Sequence, residues 1–398
     1  MVIFAKHPLI KSEGGFSLEN FICERCGNRD PRYIGFKNGK PYCRRCISFQ
    51  GESVSYEKPL PKRAPLNLHY GLSQDQARLS EKIVSNFKNG IDTLVYAVCG
   101  AGKTEISYAV ISYAISQGMT VGFALPRRDV VVELFYRLKE SFPENKVVAV
   151  FGQHTSVLKG DIIILTTHQL FRYPNYFDLL VMDEIDAFPF KDNPVLIAMY
   201  RRAMRGSCVL MSATPSENVI QEFKKPDHEI LELRTRFHHQ EIPLPQTKIM
   251  PSFLQPLFVV AKLLHYKKEG KCCFVFTPSI EECEMLYRFV SCFVKGGSFV
   301  HSKKENRQET IGIFKKKGYF YLITTSVLER GVTFKNLQVM VTHADRESIY
   351  SSSALIQIAG RVGRKSDAPG GDVIFLGEVE SKAMKDAHDE IQFCNTFL

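Results

Sequence analysis

Short, continuous apolar runs, rather than alternating ones, punctuate this chain. Residues 93–98, 121–125, 147–151, 162–167, 179–182 and 209–211 form a first series, and residues 272–277, 320–325, 339–343 and 373–376 form a second. Strands that are apolar on both faces belong in parallel sheets buried between helices. Stretches with helical spacing lie between the runs, among them residues 105–115 and 354–364. Such alternation predicts an α/β protein with two tandem parallel-sheet domains and right-handed crossovers.

Punctuation sets the boundaries. Pro243, Pro245 and Pro251 separate the two series and read as a hinge. Pro59, Pro61 and Pro65, with Lys58, Lys62 and Arg63, read as a stiff basic linker. The expected organisation is a small module over residues 1–56, a linker over 57–70, a first domain over 71–240 and a second over 241–398. There is no internal repeat, no low-complexity tract and no apolar stretch long enough to span a bilayer.

The first apolar run leads into Gly100-Ala101-Gly102-Lys103-Thr104, and a helical pattern leads out. Small residues there let backbone N–H groups and a helix start face phosphate oxygens. Lys103 is expected to reach the β- and γ-phosphates of ATP, and the Thr104 hydroxyl to ligate Mg²⁺. The run at 179–182 ends in Asp183-Glu184-Ile185-Asp186. Beside such a loop, Asp183 is expected to hold Mg²⁺ and Glu184 to orient and deprotonate the attacking water. Arg361 and Arg364, three apart in the helix-like segment 354–364, are expected to share a face and reach across to ATP from the second domain.

Cys23 and Cys26, then sixteen residues, then Cys43 and Cys46 form a second constellation. Two C-x-x-C knuckles at this spacing suit one tetrahedral, structural Zn²⁺, with Asn38-Gly39 turning a hairpin between them. Two disulfides are the alternative; without a signal peptide, and with ATPase motifs following, a reducing compartment favours zinc. Tyr33, Phe36 and Tyr42 lie among Arg25, Arg29, Arg32, Lys37, Lys40, Arg44 and Arg45. They are either stacking platforms for bases or the core of a very small module. The remaining cysteines read as small buried hydrophobes, and His238-His239 as linker.

In order along residues 70–380, the motifs resemble superfamily 2 helicase-type motors. The P-loop and D-E-x-D are followed by Ser212-Ala213-Thr214, by Thr325-Ser326-Val327-Leu328-Glu329-Arg330-Gly331, and by Gln357-Ile358-Ala359-Gly360-Arg361-Val362-Gly363-Arg364. The resemblance implies two tandem RecA-like P-loop domains behind a zinc ribbon. It implies adenine reading by Gln76, nucleotide contacts at Gly331, and a catalytic place for Gln357. It also implies nucleic-acid contacts at Arg127, Arg128, Thr167, Thr325 and Arg330, and coupling through Ser212 and Thr214. Thr333 departs from the pattern, since many relatives carry an acid there.

A compact two-domain motor behind one Cys₄ ribbon resembles the late competence protein ComFA family. That resemblance implies an ATP-dependent single-stranded DNA translocase driving uptake in natural transformation. It further implies work in the cytoplasm at the inner face of the cell membrane, with a ComFC-like protein and the uptake machinery. A replication-restart type DNA helicase and an RNA helicase remain alternatives. No long insertion offers a strand-splitting pin, so translocation with little unwinding is expected.

Charge agrees with a polyanionic partner. The net charge is +10. Residues 1–70 hold 12 basic and 6 acidic side chains, residues 71–240 hold 19 of each, and residues 241–398 hold 21 and 17. The excess therefore falls on the ribbon and the second domain, which suits a polyanion track, most simply nucleic acid, with a membrane surface as the alternative.

Overall fold

The computed structural model describes residues 21–49, 51–68, 71–98, 100–234, 241–325, 334–363, 368 and 370–396. A small antiparallel hairpin comes first, β1 (Ile34–Lys37) and β2 (Lys40–Cys43), turned by Asn38 and Gly39 at φ 52° and 71°. Positive φ at both turn positions matches the right-handed twist of the flanking strands, which is why Asn-Gly stands there.

The first large unit runs α1 (Gln74–Lys88), β3 (Asp92–Ala97), α2 (Lys103–Ile106), α3 (Tyr108–Ser116), β4 (Val121–Leu125), α4 (Arg128–Ser141), β5 (Val147–Val150) and β6 (Ile162–Thr166). It continues with β7 (Phe177–Met182), α5 (Pro194–Ala203), β8 (Met204–Ser212), α6 (Glu217–Glu222) and β9 (His228–Leu233). Its seven strands are ordered β5-β6-β4-β7-β8-β3-β9 and all pairs are parallel. The second unit runs β10 (Gln246–Ile249), α7 (Gln255–Lys268), β11 (Cys272–Phe276), α8 (Ile280–Phe293), β12 (Gly297–Val300), α9 (Arg307–Lys315), β13 (Tyr321–Thr324), β14 (Leu337–Val341), α10 (Ser352–Ala359), β15 (Val373–Gly377) and α11 (Lys382–Asn395). Its six parallel strands are ordered β10-β15-β14-β11-β13-β12. Central strands such as β4, β6, β11 and β14 are buried at nearly every residue, as their unbroken apolar runs require.

Three strands were not expected from the sequence. β9 and β10 are sheet edges with mostly half-exposed or exposed residues, so polar side chains interrupt their apolar pattern. β12, also an edge, opens on Gly297 and Ser298. The single helix expected over residues 105–115 is two helices broken at Ser107, whose hydroxyl donates to the Thr104 carbonyl at 2.7 Å. A short hydroxyl that bonds back to the preceding turn competes with the helical ladder.

The expected linker is not a free spacer. The Lys62 amide donates to the Ile115 carbonyl at 3.2 Å, and the Asn67 amide to the Ser141 carbonyl at 2.9 Å. Ser112 Oγ and Asn145 Nδ2 donate to the Ala64 and Arg63 carbonyls at 2.6 and 3.1 Å. Ala64 is buried in the same cluster as Ile115 and Phe142. Residues 58–68 therefore lie as a strap along α3 and the end of α4. Ahead of the strap, the ribbon is seated on the first unit: the Val54 amide donates to the Arg172 carbonyl at 2.6 Å, and Phe49 lies 5.9 Å from His168 and 6.0 Å from Phe171.

Candidate nucleotide site and zinc cluster

Sheet order places the candidate site. β8 lies between β3 and β7, so the carboxyl ends of three adjacent strands open on one crevice, the usual ligand position in a parallel sheet. β3 delivers residues 100–104, β7 delivers Asp183 and Glu184, and β8 delivers Ser212 and Thr214.

At the first of these, Gly100 and Gly102 have φ of 85° and 75°, left-handed values that favour glycine. Gly102 is the N-cap of α2, and Lys103 begins the helix. A Cβ on Gly102 would collide with the Gln76 side-chain amide. Gln76 is buried and its amide is engaged at both ends. Its Oε1 accepts from the Ser73 amide at 2.9 Å, closing a capping box on α1, and its Nε2 donates to the Ala101 carbonyl at 2.7 Å. The expected adenine reader thus ties α1 to the phosphate loop. Lys103 Nζ donates to the Ala97 carbonyl at 3.2 Å.

Asp183 sits just beyond β7, almost fully buried, with Oδ1 accepting from the Glu184 amide at 2.8 Å. Burial pushes its carboxyl up to about 6; the nearby Lys103 ammonium opposes that rise and the Glu184 carboxylate adds to it. Glu184 takes φ 58°, unusual for a residue with a side chain, so the acid is held in a strained turn. Two residues on, Asp186 is a hub. Its Oδ1 accepts from Ser212 Oγ at 2.9 Å, and its Oδ2 accepts from Thr214 Oγ1 at 2.9 Å and from Gln357 Nε2 at 2.7 Å. Asp186 was not among the expected functional residues, although it closes the D-E-x-D string. Its spacing was the available signal: two residues past Glu184, it meets the partners that Ser212, Thr214 and Gln357 provide.

Gln357 reaches the first unit from α10, which ends at Ala359. The expected helix through residue 364 is therefore corrected. Gly360 caps α10, Gly363 takes φ 69°, and Arg361 occupies a turn beyond the helix. Arg361 is nonetheless buried, only 1% exposed. Arg364, Arg330 and Gly331 lie outside the described residues, as do Thr333 and His238-His239.

The expected nucleic-acid contacts divide in two. Arg127 caps α4 in extended conformation, and the exposed Arg128 places its guanidinium 5.0 Å from the Phe151 ring centroid. Thr167 and Thr325 are buried, so their side chains face the interior rather than a bound strand. Both follow a fully buried strand directly, which carries the next residue inward as well.

Four buried thiols form the other cluster. Cys23 and Cys46 sulfurs are 3.5 Å apart, Cys26 and Cys43 sulfurs 3.7 Å, and all four lie within 4.8 Å of one another. Zinc–sulfur bonds of about 2.3 Å in a tetrahedron place sulfurs about 3.8 Å apart. A disulfide requires about 2.0 Å, so the set fits one Zn²⁺ and not two bridges. Zn²⁺ bound there would be closed off by four thiolates, which suits a structural role. Burial pushes the Cys26 thiol up to about 11 and Cys46 higher still. For Cys23 burial also raises the value, but hydrogen bonds from the Cys26 and Arg25 backbone and the Cys46 thiol bring it below the ordinary one. Clustered thiols of this kind ionise together when a cation compensates them.

Comparison with known proteins agrees with this geometry. Residues 74–223 match the DEAD/DEAH box helicase family, and residues 256–366 match the helicase conserved C-terminal domain. "Competence protein ComFA" of Bacillus subtilis (strain 168) is 33% identical over 98% of this chain and 89% of its own length. The protein of the same name from Streptococcus pneumoniae is 31% identical over 98% and 93%. Among solved structures, S. cerevisiae Dbp5 bound to RNA and ADP BeF3 superposes with a TM-score of 0.61 at 16% identity, over 82% of this chain and 93% of that one. The DEAD-box helicase Mss116, bound to ssRNA and UDP-BeF, gives 0.62 at 21% identity over 77% and 70%. The fold is that of two tandem RecA-like helicase domains.

Proposed function

The chain belongs to the ComFA family of superfamily 2 helicase-type ATPases, and from that premise we propose that it is a competence motor that hydrolyses ATP to translocate single-stranded DNA during uptake. One observation carries the reading. The Asp186 carboxylate gathers Ser212 and Thr214 from the first unit and Gln357 from the second. A closed pair of domains is thereby registered at the nucleotide site itself, so nucleotide turnover opens and closes the crevice between them.

In this reading the residues divide the work. Gly100, Ala101 and Gly102 wrap the phosphates, Lys103 neutralises the β- and γ-oxygens, and Thr104 with Asp183 holds Mg²⁺. Glu184 orients the attacking water, and Arg361 with Arg364 meets the charge that develops on the γ-phosphate. Gln76 exchanges one of its two internal hydrogen bonds for the adenine edge, and Gly331 lines the nucleotide. Arg127, Arg128 and Arg330 contact the strand, with the Thr167 and Thr325 segments contributing backbone. One zinc in the Cys₄ cluster keeps the ribbon folded. The partners are single-stranded DNA, a ComFC-like protein and the uptake machinery at the inner membrane face; among the described residues no helix is long and apolar enough to cross a membrane.

The test is ATP hydrolysis by the purified, zinc-loaded protein without nucleic acid and with single-stranded DNA, duplex DNA or RNA. Stimulation by single-stranded DNA supports the reading. Equal or greater stimulation by RNA replaces it with an RNA helicase.

A further inference from the structure

The ribbon carries chemistry that neither the zinc cluster nor the nucleotide site uses. Among the described residues its buried side chains are the four cysteines, Asn28 and Ile34; Tyr33 and Phe36 are 40% and 43% exposed, so they are not its core. Residues 21–49 hold seven basic and two acidic side chains, and all seven basic ones are exposed. One face of the hairpin is ordered. The register sets Gly35 opposite Tyr42 and Lys37 opposite Lys40. A Cβ on Gly35 would stand 2.7 Å from Tyr42 Cζ and 2.9 Å from Arg44 Nε, so the ring and the guanidinium both lie over bare backbone. At the edge of this face, Arg45 Cζ lies 5.4 Å from the Tyr33 ring centroid. The Tyr33 carbonyl accepts from the Arg44 amide at 2.7 Å. Phe36 pairs with Pro41 on the opposite face and takes no part.

The face is also fixed relative to the motor. Phe49, just past Cys46, stacks on His168, and Arg172 Nη1 donates to the Glu52 carbonyl at 3.1 Å. His168 and Arg172 belong to the 3₁₀ segment Thr167–Arg172 that follows β6 and opens on Thr167, one of the expected nucleic-acid contacts.

We infer that Tyr42 on Gly35, ringed by Lys37, Lys40 and Arg44, with Tyr33 under Arg45, is a stacking platform for single-stranded nucleic acid. It continues the path of a strand leaving the first motor domain. The inference rests on the motor reading above and adds a second contact to it. Every base offers a π-face, so aromatic platforms among cations bind strands without regard to sequence, as a translocase of arbitrary DNA requires. Seven exposed cations on about thirty residues neutralise phosphates; the core of a protein interface is depleted in lysine.

The test uses the full-length, zinc-loaded protein and fluorescein-labelled oligothymidylates of increasing length. Affinity is measured by anisotropy across a salt series. The variants are Tyr33→Ala with Tyr42→Leu, and Arg44→Gln with Arg45→Gln, each checked for one zinc per chain. On long oligomers the aromatic pair is expected to cost about tenfold or more in affinity. The arginine pair is expected to flatten the salt slope by about 1.4. The shortest oligomers that stimulate hydrolysis are bound as by the unaltered protein. Unchanged affinity and slope at every length, with zinc in place, overturns the platform; loss of DNA uptake in cells alongside that result assigns the face to a protein partner instead. If the unaltered protein binds long oligomers but shows no stimulated hydrolysis, the motor reading falls while the platform is still decided by the variants.

Discussion

Gln357 Nε2 donates to Asp186 Oδ2 at 2.7 Å, and this bond joins a helix of the second unit to the strand-end acid of the first. The same carboxylate holds Ser212 and Thr214, so three donors converge on one buried acceptor pair. Replacing Asp186 by Asn turns one acceptor into a donor facing donors. Because hydrogen bonds to a buried charge contribute about 1.5–3 kcal/mol each, DNA-stimulated kcat is expected to fall about tenfold or more. The fall for Gln357→Ala should not add to it in the double variant, since both remove the same closure. Additive losses in kcat would show that the contact is incidental.

Asp183 gives a pH signature. Its folded value of about 6 stands above the ordinary aspartate value of 3.8 because burial disfavours the charge. The unfolded chain therefore releases this proton at lower pH than the folded one. Its contribution to stability is full below about pH 4 and is lost as pH rises to about 6, after which it stays lost. For a shift near two units the loss is roughly 3 kcal/mol, at 1.36 kcal/mol per unit. Nucleotide-free Asp183→Asn should accordingly melt above the wild type at pH 8, by a margin that shrinks as pH is lowered from 6 to 4. A margin independent of pH would contradict the assignment of the shift to Asp183.

Zinc should stabilise more than the ribbon. The cysteines share a packed cluster with Phe171, Tyr173 and Tyr176 of the first unit. Cys43→Ser is expected to lose its one zinc per chain by elemental analysis and to lower the melting temperature of the first unit as well. Independent melting of an unaffected motor would show that the seat of Phe49 on His168 contributes nothing.

The strap can be tested without touching the nucleotide site. Gly118 has φ +66°, and a Cβ there would stand 2.7 Å from the Pro59 carbonyl oxygen. Gly118→Ala combines a left-handed backbone with a clash, and is expected to destabilise by about 1–3 kcal/mol. Basal ATP turnover at low temperature should be unchanged. Chemical denaturation gives the first quantity, and no loss of stability would mean the strap lifts freely.

The parts of this molecule that the sequence reveals are those where one physical demand dominates. Strands buried on both faces must be apolar throughout, so β3, β4, β6, β7, β11 and β14 stand out. The phosphate loop needs glycine where φ is positive, and Gly100 and Gly102 meet that need. Edge strands answer to two demands at once, and β9, β10 and β12 accordingly carry polar or small residues that hide them. Helix α10 stops at Ala359, with Gly360 as its C-cap and Gly363 leaving the helical path at φ 69°, a stop the three-residue spacing of the arginines masked. Thr167 and Thr325 look like contact residues by position, yet the strands before them turn both inward. The strap was unreadable because prolines and lysines describe a spacer equally well; only its backbone bonds to Ile115, Ser112 and Ser141 say otherwise.

The most direct measurement is displacement of streptavidin from the 5′ or 3′ end of a biotinylated single-stranded oligonucleotide by the zinc-loaded protein with ATP. The account predicts ATP-dependent displacement, faster from one end than the other and absent in Lys103→Ala. Vigorous single-stranded-DNA-stimulated hydrolysis with no displacement from either end would contradict it, leaving an ATPase that binds DNA without moving along it.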